Sequence, residues 1–166
     1  MQVMNRLGFV LLLSALACVA CSPDPRALPR RAGATQSGPA GSASDPLALK
    51  VDSTGGFSRK TDDFSSDRMS VTGDLLELVV SYGGGCESHD FAVWTTLVFS
   101  QSQPPVVNLF VVHDANNDLC EAYLQATLWI DLSPIRAAFL KLHPGTTSRA
   151  VSITVQNAGA PAVYKF

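Results

Sequence analysis

From residue 47 to the C-terminus, apolar side chains recur at alternate positions in short runs, the spacing of strands that turn one face to a core. Stretch 47–51 alternates weakly and predicts an edge strand, whereas the polar, glycine-containing stretch 52–68 predicts a long loop. Over 67–82, Met69 and Val71 alternate with Ser70 and Thr72, and Gly73 with Asp74 marks a turn or bulge. Leu76, Leu78, Val80 and Tyr82 then share one face, and Glu77 and Ser81 take the other. Stretch 90–99 is rich in aromatic and β-branched residues, with Phe91, Val93, Thr95, Leu97 and Phe99 on one parity and Trp94 on the other. A turn at 101–105 leads to 106–113, whose nearly unbroken apolar run reads as a strand buried on both faces. The clearest alternation is at 121–132, where Ala122, Leu124, Ala126, Leu128, Ile130 and Leu132 point one way. Ser133 and Pro134 read as an N-cap followed by proline at the first helical position, so 134–142 predicts a short helix ended by His143, Pro144 and Gly145. Val151, Ile153 and Val155 predict another strand, and 162–166 a last one after the Asn157-Ala158-Gly159 turn.

Seven or eight short strands with one short helix predict an all-β fold, an antiparallel β-sandwich that is immunoglobulin-like in general architecture. A small open barrel is the alternative, and no internal repeat is seen. The domain is expected to span 47–166 of the 166 residues. From residue 46 onward it carries eight Lys and Arg against twelve Asp and Glu, so it lacks the basic stripe that phosphate binding requires, and nucleic acid is excluded as a partner.

The N-terminus has a different pattern. A short polar stretch bearing Arg6 precedes an apolar run beginning at Leu7, which is too short for the roughly 20 residues of a membrane-spanning helix. That is the layout of a secretory signal, assigned to 1–20. Ala15-Leu16-Ala17-Cys18 and Cys18-Val19-Ala20-Cys21 resemble the lipobox of bacterial lipoproteins, in which a small residue precedes a cysteine that is lipidated and becomes the new N-terminus. The first motif has Leu two positions before its cysteine, and the second has Cys three positions before, where an aliphatic residue is usual. Cys21 gives the longer apolar run and is the expected lipidation site, with Cys18 the alternative and plain secretion the rival outcome. Residues 21–46 are rich in Pro, Gly, Ala, Ser and Thr and predict a flexible tether. The resemblance implies attachment to the cell envelope through an N-terminal lipid. Neither Cys18 nor Cys21 is followed by the Asp that retains such proteins at the inner membrane, so an outer-membrane location, on its periplasmic or surface side, is expected.

The site-like chemistry lies in two loops, Gly83-Gly84-Gly85-Cys86-Glu87-Ser88-His89-Asp90 and His113-Asp114-Ala115-Asn116-Asn117-Asp118-Leu119-Cys120-Glu121. In an oxidising compartment Cys86 and Cys120 predict a disulfide, and the strand parity of Cys120 aims it towards the core. Two other readings use the same residues. Cys86, His89, His113 and Cys120 offer a zinc set, although the spacing matches no common module, and His89, Asp90, His113 and Asp114 could ligate a metal beside an intact disulfide. Asp114, Asn116 and Asp118 alternate like the start of a calcium loop, but Leu119 stands where its turn glycine belongs. A His–Asp hydrolase is conceivable, yet no Gly-x-Ser-x-Gly nucleophile motif is present.

These two segments, followed by Asp131-Leu132-Ser133-Pro134, are similar to uncharacterised bacterial lipoproteins over residues 74–134, a resemblance that implies no activity. The expectation is a binding or structural module with no cofactor, meeting an envelope protein or a small ligand. Its rival is an envelope metal-binding protein or hydrolase built on the two loops.

Overall fold

The computed structural model describes residues 41–54 and 57–166, within which the alternating runs form eight strands and one helix. In chain order these are β1 (Leu49–Val51), β2 (Ser65–Thr72), β3 (Leu75–Gly84), β4 (Asp90–Thr95), β5 (Val106–Asp114), β6 (Ala122–Asp131), α1 (Ser133–Leu142), β7 (Ala150–Val155) and β8 (Ala162–Lys165). The expected signal, both candidate lipidation cysteines and most of the expected tether lie outside the described residues. Among the described residues no helix is long and apolar enough to cross a membrane.

Five strands form one sheet in the order β1-β4-β5-β7-β8, and three form the other in the order β2-β3-β6. The inward side chains of both sheets belong to one core. Leu76, Leu78 and Val80 of β3 and Leu128 and Ile130 of β6 meet Val93, Val107, Leu109, Val111, Val151, Ile153 and Tyr164, all fully buried. Each aliphatic side chain so buried contributes roughly 1.5–3 kcal/mol to the sandwich.

The all-β, two-sheet architecture with one short helix is the one the alternation predicts. Its details differ in places. The β1–β4 and β5–β7 pairings are parallel, while the rest are antiparallel. Between each parallel pair the chain crosses through the other sheet, by β2 and β3 in one case and by β6 and α1 in the other, and such crossovers are what parallel neighbours require. β2 starts at Ser65, within the expected loop. β4 stops at Thr95, because Leu97 takes φ 52° and its N–H bonds the Thr95 hydroxyl at 3.1 Å. β5 buries Val107, Leu109, Val111 and His113 on one face and exposes Asn108 on the other, so it is not sunk on both. In β6 full burial is confined to the C-terminal half, with Ala122 exposed and Leu124 half-buried.

The two ends of the sandwich are built differently. The chain enters beside β6, where the Leu47 N–H bonds the Trp129 carbonyl at 2.7 Å, and then pairs β1 with β4, so stretch 47–51 bridges the sheets. On the opposite side β2 lies against β8, a partial closure towards the barrel alternative. One end of the β3–β6 ladder, at Leu75 and Asp131, is covered by α1, whose Ile135 and Phe139 are buried. Its other end, at Gly84 and Ala122, carries the two cysteine loops.

Candidate functional site at the disulfide end

Strand register brings the two loops together. β4 and β5 pair antiparallel with Phe91 opposite His113 and Asp90 opposite Asp114, so the two parities face different ways. His113 points inward and is 2% exposed, and His89, just before β4, is 1% exposed. Asp90 and Asp114 stand directly across from one another on the outer face, both exposed. The expected set His89, Asp90, His113 and Asp114 is thus split: the histidines converge inside with Asp118, and the two aspartates lie on the other side of the sheet.

Cys86 and Cys120 are joined in a disulfide, with Cα atoms 5.9 Å apart and a sequence separation of 34. The bridge sits at the rim rather than in the core, because Cys86 belongs to an exposed turn and Cys120 is only half-buried. It ties the β3–β4 connection to the β5–β6 connection.

Inside the bridge lies a continuous polar chain. One oxygen of Asp118, Oδ2, accepts the backbone N–H groups of Gly85, Cys86 and Glu87 at 2.8, 2.9 and 2.9 Å. His89 Nε2 reaches the same oxygen at 3.1 Å, and the Cys120 N–H bonds Oδ1 at 2.9 Å. His89 Nδ1 lies 2.8 Å from His113 Nε2, and His113 Nδ1 donates to the Asp63 carbonyl at 3.1 Å. The rings of His89 and His113 stack with centroids 5.0 Å apart, and His113 stacks on Phe91 at 4.6 Å. Tyr82 packs against both histidines.

The electrostatics follow from these contacts. The Glu87 N–H, then that of Cys120, with Cys86 and His89 adding to them against the cost of burial, holds the Asp118 carboxyl well below the usual carboxylate range. Burial, reinforced by the neighbouring His89, pushes His113 below its ordinary value despite its bond to Asp63.

Gly84 makes the arrangement possible. It adopts φ 154°, and a Cβ there would lie 2.4 Å from His89 Nε2 and 3.0 Å from Asp118 Oδ2. The glycine run therefore admits the imidazole and the carboxylate against the backbone.

Chemically the site is closed. All four ring nitrogens of His89 and His113 face protein groups at hydrogen-bond distance, so none points to solvent, where it could meet a metal or a substrate. Cys86, Asp118 and Cys120 place ligand-type atoms within 4.8 Å of one another, but both sulfurs are consumed in the disulfide and zinc binds thiolate. The calcium-like run is turned to other ends. Asp114 Oδ1 takes the Asn116 N–H at 2.9 Å, Asn116 and Asn117 adopt φ 53° and 56°, and Asp118 is aimed inward.

Two parts of the site escape a reading of the sequence. Residues 61–63 lie in the stretch expected to be loop, yet the Thr61 hydroxyl accepts the His113 N–H at 2.9 Å, and the Asp62 N–H donates to the His113 carbonyl at 2.9 Å. No periodicity marks them. Asp118 reads as a turn residue or calcium ligand, and only its distance of 31 to 33 residues from the amides it binds discloses the other role.

A second feature lies away from the histidines. A cleft of about 710 Å³ opens between residues 99–105 and the C-terminal end of α1, lined by Phe99, Ser102, Gln103, Leu142, His143 and Thr146 among others, with no Asp, Glu, Lys or Arg in its wall.

No protein-family model matches the chain, and no curated protein matches it. Among solved structures it is similar to a NigD-like immunity protein from Bacteroides caccae, with 18% identity, a TM-score of 0.46, and coverage of 72% of this chain and 58% of that one. It is also similar to a candidate lipoprotein from Bacteroides fragilis, with 11% identity, a TM-score of 0.47, and coverage of 72% and 68%. The chain thus spans less than two thirds of the immunity protein's length.

Proposed function

We propose that this protein is an envelope β-sandwich, held by an N-terminal lipid and tether, that works as a binding or structural module and not as an enzyme. The observation that carries the reading is the closure of the cluster around the two histidines: among the described residues His89 and His113 are 1% and 2% exposed, and every ring nitrogen faces a protein group at hydrogen-bond distance. A general base must reach the proton it removes, and a metal ligand must offer a lone pair. The open, uncharged cleft beside α1 offers a binding face, with apolar rings and hydroxyl and carboxamide groups suited to a neutral polar ligand. The rival, a metal-binding protein or hydrolase using His89, Asp90, His113 and Asp114, would need two strand faces to serve one centre.

Thiol titration and metal analysis of purified full-length protein separate the two. Unreduced protein carrying Cys86 and Cys120 is expected to show no free thiol from that pair and no stoichiometric metal. Two free thiols with one equivalent of zinc would overturn the reading.

A further inference from the structure

We propose that the turn from Gly84 to His89 is a carboxylate-binding nest for which Asp118 serves as the intramolecular ligand, and that with this side chain removed the same donors hold a small external carboxylate. Three successive N–H groups, those of Gly85, Cys86 and Glu87, converge on a single oxygen at 2.8 to 2.9 Å, and His89 Nε2 approaches it at 3.1 Å. Successive amides curled around one point form a concavity of aligned dipoles that favours an anion. Gly84 and Gly85, at φ 154° and 120°, supply the curl, and the missing side chain of Gly84 leaves room for the oxygen.

The turn that carries the donors is anchored at three points independent of Asp118. Gly84 pairs with Ala122 at the end of the β3–β6 ladder, Cys86 is tied to Cys120, and His89 is held through its other nitrogen by His113 and through its ring face by Tyr82. Removing the Asp118 carboxylate therefore leaves a shaped, donor-lined space inside the protein. Its side chain is fully shielded from solvent, so an ion replacing it would be shielded as well. The size of the occupant is set by what is cut away: Asp118→Ala removes one carboxylate and leaves room for formate, and Asp118→Gly removes an acetate-sized group.

Thermal unfolding of the full-length protein tests this, with formate, acetate or chloride at equal ionic strength. Formate should raise the Tm of Asp118→Ala above its value in chloride by roughly 4–8 °C at a tenfold excess over its dissociation constant, and acetate should act on Asp118→Gly. Wild type and Asp118→Asn, whose nest stays filled, should respond to formate and chloride alike. If Asp118→Ala does not fold in chloride, recovery of native protein on refolding in formate supports the nest. Equal Tm values or equal refolding yields in formate and chloride, or an equal formate effect on Asp118→Asn, overturn it.

Discussion

Gly84 is the residue on which most of the disulfide end depends. A methyl group there would sit 2.4 Å from His89 Nε2 and 2.6 Å from its Cε1, far inside contact distance. The imidazole has nowhere to retreat, since His113, Tyr82 and Asp118 surround it. Gly84→Ala should therefore destabilise by about 1–3 kcal/mol, the cost of overpacking a filled interior, and more if the His89–Asp118 bond is lost with it. Gly83, whose Cβ would meet nothing within 4 Å, is the control, and Gly83→Ala should fall within about 0.5 kcal/mol of wild type. Chemical denaturation of both variants checks this, and equal losses would refute the steric account. The sequence makes the histidines conspicuous but not their burial. Parity places His113 with Val111 and Leu109 on the core face and so separates it from Asp114. What parity cannot show is that His89 and Asp118, each outside a strand, fold inward to complete a polar chain.

At the scale of elements, alternation carried most of the architecture, because a strand with one buried face must place its apolar residues two apart. Pairing partners were less legible. The parallel β1–β4 and β5–β7 contacts join segments far apart in sequence, and no local signal specifies them. The same holds for Asp74 in the β2–β3 turn. It reads as turn punctuation, yet its carboxylate accepts the Tyr164 hydroxyl of β8 at 2.6 Å and Arg136 of α1 at 2.8 Å, and its carbonyl takes the Leu132 N–H at 2.8 Å. One residue thus fastens the hairpin, the helix and the last strand. Burial of the Tyr164 hydroxyl, with Asp74 accepting its proton, pushes that phenol above its ordinary value. Asp74→Ala should cost about 1–3 kcal/mol, because the fully buried Tyr164 hydroxyl is left without its acceptor. Tyr164→Phe removes donor and need together and should cost less. A double-mutant cycle on the two positions measures the coupling, and additive losses would show that Asp74 acts through its other contacts and not through Tyr164.

At the scale of the whole molecule, the proposed attachment to a membrane is assigned to the N-terminal cysteines rather than to the folded domain. It holds no spanning helix among the described residues, and from residue 46 onward acids outnumber bases by four. A surface of that sign is repelled by anionic headgroups, which attract lysine and arginine. The arginines of the expected tether, Arg26, Arg30 and Arg31, are too few to hold a protein by charge at physiological salt, where each contributes about 1 kcal/mol. Acyl chains act otherwise, since each buried methylene adds about 0.8 kcal/mol irrespective of salt. The two sources predict opposite fractionation. In the producing cell the protein should sediment with membranes, resist extraction by high salt and be released by detergent. Cys21→Ser should move it to the soluble fraction if Cys21 is the lipidated residue, and Cys18→Ser should do so if Cys18 is. The double variant must be soluble in either case. If the double variant still sediments and only detergent frees it, the lipid anchor is wrong, and retention by a membrane-embedded partner takes its place. If high salt releases the wild type, the tether arginines hold it through charge.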